Sequence, residues 1–306
     1  MHDLVELWEK PVAEEKYMIA GWHQWADAGS ISSGLPRYLI GQMGAQKIGV
    51  IKPDIFYLFQ IPGTHHLLRP IVRLEDGYRK ALEPRKNEFF YAGDETKGLV
   101  IFLGEEPHMN EEQYAQAFFD VVEELGVERV VAVGGVYGAM PYDKDREVSC
   151  VYSLKEMKEE LAEYSVRFSN YEGGSTIGTY LVDRAERRGI EFLAFYAFVP
   201  AYDFSQLTVL QQGMRIENDF KAWYDLMRRF NYMFGLGIDF SDLEKRSVEL
   251  VAAMDAKIDE LDQEMPQLKV RDYLEELTQT FTERPFMPLG DVWERGLRDL
   301  FEDIED

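Results

Sequence analysis

Side chains able to move protons or bind polar ligands follow four short apolar runs of the sequence. His23 and Asp27 come after the first run, and Glu105 comes after the second. A histidine near carboxylates is the usual equipment of general acid–base catalysis, so these three residues are the candidate catalytic groups. The same loops hold further residues suited to binding a small polar ligand. They are Trp22, Glu106, His108, Gly135, Tyr137, Tyr202 and Asp203.

Each of these candidates also has a structural interpretation. His23 and Asp27 could pair with each other across a turn, and His108 could simply lie on a surface loop. Glu105 and Glu106 are adjacent, so in an extended segment their side chains point in opposite directions. Such an arrangement disfavours a coupled carboxylate pair.

A glycine-rich turn, Gly173 to Gly178, precedes a predicted helix. Amides at a helix N-terminus can hold an anion, which makes Gly174, Ser175 and Thr176 candidate ligand-binding residues. The alternative is that the glycines allow a tight turn and close helix packing. Neither GxGxxG nor GxxxxGK[ST] occurs in the chain, so no nucleotide cofactor is expected.

No metal site is predicted either. His65 and His66 lack a third ligand at a familiar spacing, and neither HExxH nor CxxC is present. The single cysteine, Cys150, has no histidine or glycine-rich turn nearby that would favour a nucleophile. One cysteine cannot form an internal disulfide, which agrees with a reducing compartment.

The charge and hydropathy of the chain exclude several classes of protein. Its 306 residues include 56 Asp and Glu against 33 Lys and Arg, a net charge of −23. So large an acidic excess repels phosphate backbones, so we expect no nucleic-acid partner. The longest apolar run, Phe192 to Val199, is too short to span a bilayer, and the first residues are acidic rather than signal-like. These observations predict a cytoplasmic protein that does not enter membranes.

Three segments repeat the order apolar run, turn, amphipathic helix, apolar run, which is typical of βαβ units. Gly44, Gly126 and Gly189 mark the ends of the three helices, and Asn110 with Gln113 resembles a capping box that opens the second. Ligands bind beyond the carboxyl ends of parallel strands, so the four loops should meet at one edge of the sheet. The predicted strands are Tyr17–Ala20, Leu99–Leu103, Val130–Val133 and Phe192–Val199.

Two regions interrupt this pattern. Residues 52–98 hold shorter runs, Ile55–Gln60, Leu67–Leu74 and Glu88–Tyr91, which resemble antiparallel or edge strands. Residues 204–240 are rich in aromatic side chains and helical in pattern from Gln211 to Phe234, which predicts a helical insertion in a first domain of residues 1–240.

The remaining residues, 241–306, carry 19 acids and 8 bases and form a predicted acidic helical region. Ser241 with Glu244 resembles a capping box, and Pro266 separates two apolar stripes, which indicates a helical hairpin. The stripes must be buried either against the α/β body or against another subunit. The candidate interface residues are Leu250, Met254, Ile258, Leu261, Leu274 and Leu277.

Read together, these segments resemble the proteasome assembly chaperone 2 (PAC2-like) family, in particular its prokaryotic members. Five stretches carry the resemblance, in this order and spacing, over residues 17–262. They are AGWxxWADAGS at 20–30, LGEEP at 103–107, VGGVYGAMP at 133–141, EGGSTIGTYL at 172–181 and FVPAY at 198–202.

The resemblance implies a three-layer α/β/α sandwich with a mostly parallel sheet, similar to the nucleoside phosphorylase and peptidyl-tRNA hydrolase group. It also implies oligomers, here a homo-oligomer with a trimer as the first guess, and a chaperone role without catalysis in the eukaryotic relatives. The leading hypothesis is therefore a non-catalytic assembly or interaction protein with protein partners. The alternatives are a small-molecule enzyme of the phosphorylase or hydrolase type, an ATP-dependent ligase, or a ligand-binding regulator. These four loops contain no Lys or Arg before Pro141, which argues against phosphate chemistry.

Overall fold

A mixed sheet whose centre is parallel organises the computed structural model, which describes residues 4–23, 25–59, 69–202 and 214–286. Its strands run in the order β1-β3-β6-β7-β2-β8-β11-β9-β10, with β12 paired to β11 and with β4 and β5 forming a separate hairpin. The strands are β1 (Val5–Leu7), β2 (Glu15–His23), β3 (Gln46–Ile51), β4 (Ile71–Glu75), β5 (Tyr78–Glu83), β6 (Glu88–Gly93), β7 (Lys97–Glu105), β8 (Arg129–Gly138), β9 (Val148–Tyr152), β10 (Arg167–Phe168), β11 (Glu191–Tyr202) and β12 (Met214–Arg215). β7, β2, β8 and β11 are parallel neighbours, and antiparallel strands flank them.

Helices cover both faces of this sheet. They are α1 (Ile31–Gln42), α2 (Glu111–Leu125), α3 (Lys158–Leu161), α4 (Ile177–Glu186), α5 (Phe220–Phe234), α6 (Ser241–Glu264) and α7 (Val270–Thr280). α2 and α4 pack in one core, while α1, α5, α6 and α7 pack in the other. The predicted three-layer α/β/α architecture is confirmed.

Period-two alternation along the central strands builds the two cores. In β2, Met18 and Ala20 face α2 and α4, whereas Ile19 faces α1. β11 is buried on both faces, with Phe192 and Phe195 in opposite cores. A strand covered on both faces has to be apolar throughout, which is why the 192–199 run shows no alternation.

Two glycines allow the loop after β2 to lie directly on the sheet. A Cβ at Gly21 would stand 1.8 Å from the carbonyl oxygen of Ser32, and one at Gly135 would stand 2.0 Å from that of Ala28. Any side chain there would push the start of α1 off β2 and β8. Glycine is therefore required at both positions by the close approach of a neighbouring backbone carbonyl.

The predicted helix starts differ in detail from the observed ones. Asn110 precedes α2 as expected, but its side-chain amide donates to the carbonyl of Ile55 instead of capping the helix. Phe240, not Ser241, is the N-cap of α6, and the Asp239 carboxylate accepts from the Ser241 amide at 3.0 Å. Of the helix predicted over Gln211–Phe234, residues 211–213 lie outside the described residues and Met214–Arg215 form β12 instead. The helix is present from Phe220, where Asp219 accepts from the Ala222 amide.

The acidic helices α6 and α7 form the predicted hairpin, separated by a 3-10 turn at Pro266–Leu268. Both stripes pack on the chain's own body. Met254, Ile258 and Leu274 are buried in the core that includes α1 and α5. Leu250, Leu261 and Leu277 are partly buried against the same core. Burial within the chain is thus the arrangement that the structure shows for these stripes.

The segment between β3 and β7, predicted as three antiparallel or edge strands, contains an irregular stretch, a separate hairpin and one strand of the main sheet. The strand predicted over Ile55–Gln60 is absent from its described part: the chain turns at 54–56 and is irregular at 57–59, and Gln60 lies outside the described residues. β4 and β5 pair with each other as a projecting hairpin, on which Ile71, Leu74 and Tyr78 are more than half exposed. β6 joins the main sheet between β3 and β7.

A fully buried ion pair fixes α5 to the loop after β8. Arg146 donates through Nε to Asp219 Oδ2 at 2.8 Å, and neither side chain is exposed. The same guanidinium donates to the carbonyls of Tyr142 and Lys144, while Asp219 also caps α5. Because the backbone amide of Asp219 donates to the Gly29 carbonyl, this network also ties α5 to the start of α1.

Candidate functional site

The four parallel strands end at one edge of the sheet, where α1 and α4 begin. The register of β2 and β7 places His23 directly beside Glu105. On β8, Gly135 forms an isolated parallel bridge with Asp27 from the loop after β2. The edge predicted from the loops therefore exists, and its residues are distributed over several distinct roles.

Asp27 caps helix α1. Its two carboxylate oxygens accept from the backbone amide of Ser33 at 2.9 Å and from the Ser33 hydroxyl at 2.7 Å. Burial raises the pKa of Asp27, and the bonds from Ser33 oppose that rise. His23 interacts with Asp27 electrostatically and also opposes the rise in the pKa of this carboxyl, but the hydrogen bonds described for the carboxylate come from Ser33, and that of the His23 ring comes from Arg37.

Glu106 has the equivalent role at helix α4. Its Oε1 accepts from the Ile177 amide at 2.9 Å, and burial raises the pKa of this carboxyl. The carboxylate occupies the place at the helix N-terminus that an external anion would take. Thr176 completes the cap by accepting from the Thr179 amide at 3.1 Å. The glycine-rich turn thus receives an internal anion.

A cavity of about 10 Å³ lies between these two capped helices, lined by Trp22, Glu106, Thr176 and Tyr196 among others. That volume suits one water molecule and excludes any organic ligand. The Tyr196 hydroxyl bonds to the hydroxyls of Thr176 at 2.5 Å and Thr179 at 2.9 Å. This part of the edge is closed by its own polar groups.

Three further candidates are parts of the core. Trp22 is buried, and its indole nitrogen donates to the Tyr114 hydroxyl at 2.9 Å. Tyr202 is buried and donates to the carbonyl of Met140 at 2.7 Å. Gly135 is the contact point for Ala28 described above. These positions stabilise the edge and expose little surface to a ligand.

His23 and Glu105 face a different space, a cleft of about 900 Å³ on the α1 side of the sheet. Arg37 of α1 donates from Nη2 to Nε2 of His23 at 3.1 Å, so Nε2 must be the unprotonated ring nitrogen in this arrangement. Arg85 donates to Glu105 Oε2 at 2.5 Å. Glu105 and Glu106 lie on opposite sides of the chain, one facing this cleft and the other facing α4.

The cations of this cleft are not among the candidate residues that the sequence indicated. Arg37 comes from α1, Arg69 precedes β4, and Arg85 and Lys86 precede β6. The four loops after the parallel strands lack Lys and Arg before Pro141, but these cations come from other segments of the chain. The signal available was the sequence RKNEFF at 85–90, where two bases lead directly into a strand that neighbours β7.

His108 lies in the loop between β7 and α2 and contacts the irregular segment that follows β3. Its Nδ1 accepts from the Leu58 amide at 3.1 Å, and its ring contacts Tyr57 edge to face. Burial, with a further contribution from the Arg85 guanidinium, lowers the pKa of His108. His108 therefore holds the backbone at Leu58 in place, and its lowered pKa favours the neutral form of the ring.

Three exposed aromatic side chains lie at this edge of the sheet. We call Trp25, Tyr137 and Tyr171 the aromatic rim; they are 65%, 45% and 72% exposed. Trp25 packs over Gly174, where a Cβ would stand 2.6 Å from the ring, and Tyr171 lies over Gly173. Ser175 is exposed beside them and bonds only locally, to the carbonyl of Thr176.

The remaining candidates yield no site. Asp203, His65 and His66 lie outside the described residues. Within the described ranges, no three histidine, cysteine or carboxylate side chains converge to hold a metal ion. Cys150 is buried, and burial raises the pKa of its thiol to about 12, which makes it a poor nucleophile. None of the helices in the described part of the chain is long and apolar enough to cross a bilayer.

Similarity to known proteins agrees with this architecture. No curated protein matches the chain significantly. A PAC2 family protein from Streptomyces avermitilis is 23% identical, with 85% of this chain and 99% of that one covered at a TM-score of 0.67. A proteasome-assembly chaperone homologue from Mycobacterium tuberculosis is 20% identical, with 78% and 94% covered at 0.67. The archaeal proteasome activator PbaB from Pyrococcus furiosus is 18% identical, with 82% and 97% covered at 0.57.

At these identities the solved structures establish the fold alone. The sequence itself carries the family, because the model of the PAC2 family matches residues 21–258, which span all of the edge described above. The chain belongs to the PAC2 family.

Proposed function

We propose that this protein is a non-catalytic interaction or assembly-chaperone-like protein that binds a protein partner through the aromatic rim. The main support is that the carboxylates at the sheet edge are used as helix caps, whereas aromatic side chains at the same edge are exposed. Asp27, a candidate catalytic group, caps α1, and Glu106, a candidate ligand-binding group, caps α4, while Trp25 and Tyr171 of the rim are exposed over the glycines that precede α4. Large aromatic side chains are enriched where proteins bind one another.

Family membership supports a partner of protein type. Two Pyrococcus furiosus relatives are described as an archaeal proteasome activator and an archaeal homologue of a proteasome-assembly chaperone. A chaperone role needs a rigid platform and exposed apolar side chains, and the capped, closed edge supplies both. The buried single cysteine suits a reducing cytoplasm, which is where we place this function.

The rim is tested by partner capture with matched variants. Trp25→Ala and Tyr171→Ala should each reduce the amount of a stoichiometric partner recovered on the tagged protein. Trp8→Ala is the control, because Trp8 is 55% exposed and directly follows β1, the strand at one end of the sheet. Equal recovery with all three variants, or repeated recovery of the protein alone, would contradict the proposal.

We also propose a homo-oligomer, with a trimer as the working number. Leu277, Tyr273 and Thr280 line a shallow groove of about 250 Å³ on α7, which leaves one side of the tail open to a second copy. Leu277→Asp should lower the molar mass measured by light scattering, whereas Thr280→Asp, at the margin of the same groove, should lower it less. A monomeric wild-type mass would refute the oligomer.

A small-molecule enzyme is favoured by one specific observation, the shared cleft of His23 and Glu105. Glu105 is already engaged by Arg85, and the Nε2 of His23 is engaged by Arg37. Turnover of a nucleoside or ester substrate that is lost in His23→Ala would place this alternative first.

A further inference from the structure

The cleft beside His23 differs in charge from the rest of the molecule. Four cationic side chains line it: Arg37, Arg69, Arg85 and Lys86. They come from three separate segments, so the cluster is formed by the fold. In a chain with a net charge of −23, a cleft with four bases is a local reversal of sign.

The carboxylates of the cleft are already engaged. Glu83 pairs with Arg73 at 2.8 Å, and Glu88 pairs with Lys47 at 2.7 Å, and both of these cations stand outside the cleft lining. Glu105 pairs with Arg85 at 2.5 Å. Two of the three acidic groups are thus neutralised from outside, which leaves the cleft with an excess of positive charge.

The cations are placed where a ligand can reach them. Arg37 and Lys86 are exposed. The hydrogen bond described for Arg37 goes to the ring nitrogen Nε2 of His23 and not to a carboxylate. Glu105 holds Arg85 in position with a bond between largely buried partners, 18% and 15% exposed. Arg69 stacks over Phe59, which also restrains its guanidinium. Preorganised guanidinium groups bind phosphate and carboxylate oxygens in pairs.

We propose that this cleft binds a multivalent oxyanion of small-molecule size. Its volume of about 900 Å³ is within the range of small-molecule sites, and Leu103, Pro70 and Pro84 supply apolar contacts beside the cations. Several cations on separate segments favour a ligand with more than one charged group. The shared chemistry is that of clustered phosphate or carboxylate groups. This site is separate from the aromatic rim and goes beyond the proposed function.

The test is calorimetric titration of the full chain with two probes, tripolyphosphate and citrate. Binding of tripolyphosphate alone identifies phosphate groups, and binding of citrate identifies carboxylates. Arg37→Gln/Lys86→Gln should weaken binding by about tenfold or more. Lys245→Gln/Lys269→Gln removes the same charge from side chains that are 78% and 75% exposed on the tail, and should change affinity by less than about twofold. Binding should also weaken at high salt.

Two results would overturn the proposal. One is that neither tripolyphosphate nor citrate binds at millimolar concentration. The other is an equal loss in the cleft and tail variants, which would show binding to net charge rather than to the cleft. Both substitutions in the cleft are at exposed side chains, so an unchanged urea midpoint is expected and separates a binding defect from misfolding. Loss of partner capture in rim variants would leave this result unaffected.

Discussion

Replacing Asp219 by asparagine should destabilise the protein by about 3–5 kcal/mol, because Arg146 would keep its charge without a buried counter-ion. Asparagine is as good an N-cap as aspartate, so the bond from the Ala222 amide can persist and the change isolates the ion pair. Both side chains are fully buried, and the carboxylate accepts from Arg146 Nε at 2.8 Å and Nη2 at 3.2 Å. Against a total stability of about 5–15 kcal/mol, this is a large loss.

Urea unfolding followed by tryptophan fluorescence measures this loss. Trp223 is a suitable reporter, because its indole nitrogen donates to the Gly29 carbonyl beside the pair. Arg146→Met should cost a similar amount, and the double variant should cost clearly less than the sum, since it leaves no unpaired charge. Glu249→Ala is the control: its pair with Lys245 is exposed on α6 and should contribute about 0.5 kcal/mol or less.

A loss of less than about 1 kcal/mol for Asp219→Asn, or additive losses in the double variant, would contradict a strongly coupled buried ion pair. Either result would mean that water or a neighbouring group, such as the Asp225 carboxylate that accepts from the Arg146 amide, already compensates the guanidinium.

Three further predictions follow from the same structure. Gly21→Ala should lower the free energy of unfolding in urea by several kcal/mol, because the added Cβ would stand 1.8 Å from the carbonyl oxygen of Ser32. Gly41→Ala, with open space around it, should instead stabilise α1 by about 0.5–1 kcal/mol. Equal effects of the two substitutions would contradict the close packing at Gly21. Burial raises the pKa of Asp225 to about 6, so the folded state binds the proton more tightly than the unfolded one and stability should fall as the pH rises from about 4 to about 6. Asp225→Asn should flatten that slope relative to wild type, and parallel curves would refute the assignment. Cys150 should react with a thiol reagent only after unfolding, and rapid reaction of the native protein would show that it is accessible.

The agreement between sequence and structure is greatest where information is local. The apolar runs that predicted β2, β7, β8 and β11 are a local property of the chain, and all four strands are present with longer bounds. Gly126 ends α2 with a φ of 62°, a conformation that favours glycine, and Pro266 separates α6 from α7. The helix starts were less predictable, because Asn110 found a partner outside its own helix.

The sequence predicted the location of the candidate site at one edge of the sheet, but not the role of each side chain there. The loops meet at one edge because parallel strands end together, and the order of apolar runs already contains that fact. What each side chain does there depends on contacts between distant segments. Glu106 caps α4 across 71 residues, and Arg85 reaches Glu105 across 20. No spacing rule reports such pairs.

By itself, then, the sequence determined the α/β class, the four parallel strands, the helical hairpin of the tail and the family resemblance, since each rests on local periodicity or on short motifs in order. Only the tertiary structure decided which carboxylates serve as helix caps and which cations form a cleft. The physical reason is that a buried or paired charge takes its role from the partner that desolvates or neutralises it, and that partner is chosen by the packing of the sheet and helices.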